Sequence, residues 1–82
     1  MPSEALLNRV REIVANIFNL PVEQITPASS PATIEAWDSM AALSLTLELE
    51  QEFDVSILPE QAEQMKDVGA IAKGLEEMGV QA

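Results

Sequence analysis

The sequence predicts an all-α fold: a small four-helix bundle of three principal helices plus one short helix, with a long loop between helices one and two. Three observations predict it. Apolar residues recur at steps of three and four in three separate stretches. Apart from Pro2, the prolines fall in connections or at the start of the short helix. The chain has 82 residues, 48% of them hydrophobic, which is enough for one core and too short for two. One domain spanning 1–82 is therefore expected.

The first helix is read from Ser3 to Phe18, where Leu6, Val10, Ile13, Val14, Ile17 and Phe18 share one side. Ser3 is its N-cap, Glu4 lies in its first turn, and Pro21 marks the stop. From about Leu20 to Asp38 comes a connection with Pro21, Pro27, Pro31 and the Ser29-Ser30 pair, a composition that breaks regular structure. A loop this long is functional, disordered, or pinned by its own apolar residues, here Val22, Ile25, Ile34 and Trp37. Trp37 is read as a packing anchor.

After Ser39, Leu43, Leu45, Leu47 and Leu49 alternate with polar residues in a strand-like period of two. The run is nevertheless read as a helix to Phe53. It favours Met, Ala, Leu, Glu and Gln over β-branched residues, has no Gly or Pro, and is long for a strand in so small a domain. Wound as a helix, it carries Ala42, Leu45, Leu49 and Phe53 on one stripe and Met40, Leu43 and Leu47 on another beside Ser39. The first stripe faces the core, and periodicity alone favours burial of the second between neighbouring helices as well. Asp54-Val55-Ser56-Ile57 connects to a brief helix at Leu58–Glu63 with Pro59 in its first turn. Asp67 caps a last helix from about Val68 to Met78, weakened by Gly69 and Gly74 and stopped by Gly79. The tail from Gly79 to Ala82 reads as a frayed end.

Charge narrows the function. Fourteen acidic residues against 4 basic ones give a net charge of -10, which opposes binding to nucleic acid or an anionic membrane and suits a cationic protein partner. Solubility alone is an equal explanation. Between Arg11 and Lys66 there are acids and no cations. Cys and His are absent, which removes disulfides, Cys/His metal sites, thiol nucleophiles and histidine bases. No segment resembles a signal peptide or a membrane span, so a cytoplasmic protein is expected.

Asp38-Ser39 stands where the irregular segment gives way to the second helix, and its plainest role is to cap free N–H groups of the first turn. A serine hydrolase would need a base, and nothing supplies one, with no His and with Lys66 and Lys73 far along the chain. The acids form no calcium loop. Glu48, Glu50 and Glu52, spaced by two, spread around a helix instead of forming a cage, as a solvated or docking face does.

The segment Asp38-Ser39-Met40, the helical run to Leu47-Glu48-Leu49-Glu50-Gln51-Glu52-Phe53-Asp54-Val55, then Ile57, Pro59-Glu60-Gln61-Ala62-Glu63 and Asp67-Val68-Gly69 closely resemble an acyl carrier protein over nearly the whole chain. The resemblance implies that Ser39, within an Asp38-Ser39 motif, carries a covalent 4'-phosphopantetheine arm added from coenzyme A by a phosphopantetheinyl transferase with magnesium. The chain would then be a monomeric carrier and not an enzyme, holding acyl groups as thioesters for fatty-acid or polyketide-like biosynthesis. It also implies docking through Met40, Leu43, Leu47, Glu48 and Glu50 to basic patches on acyl-loading and acyl-transfer enzymes. Acyl-pocket candidates are Leu45, Thr46, Leu49, Phe53, Ile57 and Ile71. Ala41, Ser44 and Gln51 stand where carriers of fatty-acid synthesis commonly have acids, which implies a specialised carrier leaning on Asp38, Glu48, Glu50 and the apolar stripe. A discrete aminoacyl or peptidyl carrier is the alternative within the class. An unmodified acidic module that binds a basic partner is the alternative outside it.

Overall fold

The computed structural model describes residues 3–80 and consists of α1 (Glu4–Phe18), α2 (Ser39–Phe53), α3 (Pro59–Gln64) and α4 (Val68–Glu77), with one 3₁₀ turn at Val22–Gln24. The Ser3 hydroxyl oxygen accepts the Leu6 amide at 3.1 Å and starts α1. The helix ends where Asn19 turns left-handed, at φ 54°, and the Leu20 amide reaches back to the Ala15 carbonyl. Its inner face, Leu6, Val10, Ile13, Val14 and Ala15, is buried and forms the centre of the core. The Ser3 amide donates to the Glu76 carboxylate at 2.8 Å, tying the start of α1 to the end of α4.

The strand-like alternation in α2 does not prevent a helix, because local propensity and the buried stripe of Leu45 and Leu49 agree. Ala42 and Phe53 pack half-buried against the same core. Asp54, at φ 54°, closes α2 as Asn19 closes α1, and the Val55 amide bonds the Glu50 carbonyl. Burial of the second stripe, which periodicity favoured, is overturned: Met40, Leu43 and Leu47 are exposed. The short α3 packs chiefly against α4, which leaves that side of α2 open.

The long loop is bound to the bundle from two directions. Arg11 donates from Nε to the Ile25 carbonyl and from a terminal nitrogen to that of Val22, at 2.6 and 3.0 Å, closing the 3₁₀ turn onto α1. At the other side the first two amides of α4, Val68 and Gly69, donate to the Ser29 and Pro27 carbonyls at 3.0 and 2.8 Å. Those donors have no partner inside their own helix, so loop and helix end satisfy one another. Gly69 suits this close approach, since a Cβ there would lie 3.2 Å from the Pro27 oxygen, tighter than an ordinary contact. Its helix-weakening effect is secondary. Ile25, Ile34 and Trp37 are buried, so the loop is part of the core, and Trp37 is the anchor expected of it.

Gly79 and Val80 are not frayed. Gly79 adopts φ 90°, and the Val80 amide bonds the Leu75 carbonyl while its side chain is buried. Gln81 and Ala82 lie outside the described residues. Because Ile25 is fully buried, Ile25→Ala is expected to lower stability by about 2–5 kcal/mol. Urea unfolding followed by circular dichroism and by Trp37 fluorescence should give one shared, lowered midpoint. A helical midpoint equal to that of the unsubstituted protein would mean that the loop unfolds independently.

Candidate functional site

Two adjacent residues fix where α2 begins. Trp37 is buried with its ring centroid 5.6 Å from that of Phe18. Asp38, in extended backbone conformation, accepts the Ala41 amide on Oδ1 at 2.9 Å and the Ala42 amide on its carbonyl at 2.8 Å. The cap role divides unequally between the pair: Asp38 is the N-cap and Ser39 is the first helical residue. Ser39 is exposed, and its hydroxyl has no hydrogen-bond partner among the described residues. The amides of Ser39 and Met40 likewise have no protein acceptor. An exposed hydroxyl therefore stands beside free N–H donors at the positive end of a 15-residue helix. That arrangement favours an anionic substituent on the hydroxyl, and the residues fit a phosphodiester there. Among the described residues no three His, Cys, Asp or Glu side chains gather as a metal site.

Along the same side of α2, Met40, Leu43 and Leu47 are 80%, 62% and 51% exposed. The acids named with them are placed differently. Glu50 turns inward, and its Oε2 accepts the Ile57 amide at 2.8 Å; it braces the segment after α2 and is not an open docking charge. Asp38 is engaged in its cap. Glu48 is exposed on the opposite flank, beside a polar depression shared with Arg9, Glu12, Asn16 and Glu52. Glu52 itself is paired with Arg9.

A cavity of about 460 Å³ opens between α2 and α3. It brings together Leu45, Thr46, Leu49, Ile57 and Ile71, but not Phe53, which lies at the far end of α2 beside Val55 and Met78. The Thr46 hydroxyl donates to the Ala42 carbonyl at 2.9 Å and so adds no unpaired donor to the wall. Trp37, Ala62 and Met65 also line it, and sequence reasoning missed them as wall residues. Leu43 and Leu47 belong both to its rim and to the exposed stripe.

Residues 8–75 match the family model described as a phosphopantetheine attachment site. The chain is 30% identical over 73 residues to an acyl carrier protein of Helicobacter pylori, covering 89% of this chain and 94% of that protein. Among solved structures it is similar to the acyl carrier protein from Enterococcus faecalis. There the TM-score is 0.68 at 34% sequence identity, covering 89% of this chain and 92% of the other.

The cap has a measurable share in this geometry. Asp38→Ala is expected to destabilise the fold by about 0.5–2 kcal/mol in urea unfolding, with Asp38→Asn retaining most of the stability.

Proposed function

The chain belongs to the family of phosphopantetheine-bearing acyl carrier proteins, and from that premise we propose that Ser39 is the residue that carries the arm. Members of this family are carriers and not enzymes, and their cofactor is covalently attached 4'-phosphopantetheine. The observation that carries the assignment is the exposed, unpartnered hydroxyl of Ser39 at the positive end of α2. Other serines lack that setting. Ser3 is engaged as the cap of α1, Ser29 is buried, the Ser30 hydroxyl accepts the Ala32 amide, Ser44 lies in the middle of α2, and Ser56 is in a connection.

The arm supplies a terminal thiol that holds an acyl group as a thioester, so the lack of Cys in the chain is no obstacle. The chain's own part is to present the Ser39 hydroxyl, to offer the Ser39 and Met40 amides to the phosphodiester, and to keep an apolar cavity beside it. The cavity's wall of Leu45, Leu49, Ile57 and Ile71 supports an acyl cargo, in fatty-acid or polyketide-like biosynthesis, over a charged one.

Family membership implies interaction with a phosphopantetheinyl transferase and with acyl-handling enzymes. We read 1–82 as one carrier domain, monomeric and cytoplasmic, whose net charge of -10 turns it away from nucleic acid and anionic membranes. No helix among the described residues is long and apolar enough to cross a membrane.

Incubation with coenzyme A, magnesium and a broad-specificity transferase is expected to add the mass of one phosphopantetheine to the intact protein and none to Ser39→Ala. A gain retained by Ser39→Ala would move the arm to another residue.

A further inference from the structure

We propose that Gly74 sets how far the cavity between α2 and α3 reaches, and so the longest acyl chain it holds, by giving the side chain of Met65 a place to lie outside it. This rests on the reading of the cavity as the seat of an acyl cargo. Met65 is the C-cap of α3 and lines the cavity, whereas Gly74, in the interior of α4, is not among the lining residues. A Cβ on Gly74 would stand 3.0 Å from Met65 Cε and 3.7 Å from Met65 Cγ, so the thioether side chain lies along bare α4 backbone. Apart from α4 itself, only Met65 comes within 4 Å of that position among the described residues.

A glycine inside a helix costs stability, and Gly74 has no positive φ that would call for one. Gly69 has its reason in the Pro27 carbonyl; the only contact that accounts for Gly74 is Met65. The rest of the wall cannot adjust as Met65 can. Leu45, Leu49, Ile57 and Ile71 are branched side chains buried in the core, whereas Met65 is half-buried and unbranched, with three rotatable bonds. Ile71, one turn before Gly74 on the same face of α4, is thus a fixed part of the wall, and the bare backbone after it is the gap into which Met65 folds. A methyl group at position 74 would close that gap. The end of Met65 would have to give way, and the open space beside it is the cavity.

Loading the full chain from straight-chain acyl-coenzyme A of increasing length, with intact mass to confirm one acylated arm, tests this. The thermal midpoint of each loaded protein is compared with that of the protein bearing the arm alone. In the unsubstituted chain the midpoint is expected to rise with each added methylene up to the longest chain the cavity buries. In Gly74→Ala that limit should fall by about one or two carbons, although the unloaded protein gains about 2–6 °C from the better helix former. In Met65→Ala the limit should rise by about two or three carbons, and adding Gly74→Ala to it should change the limit no further, since the effect needs both side chains. A limit unmoved by Gly74→Ala, or lowered equally with and without Met65, overturns the proposal. So does a lowered midpoint of unloaded Gly74→Ala, because Met65 would then have no space into which to yield. These results leave the arm on Ser39, whereas a loaded series with no dependence on chain length removes the cavity as the seat of the cargo and the proposal with it.

Discussion

The register of α2 depends on one pair of opposed interactions: Trp37 buried against Phe18, and the next carboxylate, Asp38, turned back onto the helix it starts. Burial of a large aromatic fixes the chain inward at one residue, and the cap fixes where the helical hydrogen bonds begin at the next. Ser39 then has no freedom of placement. It must be the first helical residue, outside the core, with its hydroxyl in solvent. Because side chains repeat around the helix, the same choice sends Leu45 and Leu49 into the core and Met40, Leu43 and Leu47 out. Slipping the start by one residue would rotate all of them together by about 100°.

That pair works only if the loop leading into it is held, and the loop is held by backbone satisfaction as well as by the buried side chains of Ile25, Ile34 and Trp37. Arg11 joins α1 to the carbonyls of Val22 and Ile25, and the open end of α4 takes its acceptors from Pro27 and Ser29. Each bond removes a buried or partly buried polar group that would otherwise be costly. Inside the loop, Ser29 is buried and its hydroxyl accepts the Thr26 amide. The prolines limit the conformations available before folding, so less entropy is lost when the loop is fixed.

The helices were legible because they are built from repeated signals: periodic apolar residues, Ser3 and Asp67 as caps, and Gly79 as a stop. The loop's position was not, because Arg11 and Gly69 act through carbonyls of residues distant in sequence, and no periodicity encodes such a contact. A charged residue on an amphipathic helix looks solvated until something arrives beside it. Glu50 misled for the same reason, since its partner is a backbone amide in the following connection. Ser39 was legible as a residue at a helix start and through its resemblance. The exposure of the neighbouring stripe was not, because periodicity gives which residues share a face but not whether a neighbour covers it.

The acidity of the chain acquires a different role in this light. Three large apolar side chains left in solvent on a domain this small invite self-association. A net charge of -10 opposes it by repulsion between copies, provided the charge need not sit within the exposed stripe. The structure meets that condition on α2 itself: the open acids, such as Glu4, Glu23, Glu35, Glu48, Glu60 and Glu77, are spread over the outer surface, whereas Asp38 and Glu50, the α2 acids nearest the stripe, are engaged in hydrogen bonds, and Glu63 of α3 stays open at the cavity rim. A partner without that charge gains from covering the stripe, whereas another copy of the chain must bring its own net charge of -10 close to do so. Acidity and apolar exposure, which look opposed in the composition, thus act together in selecting what may cover α2.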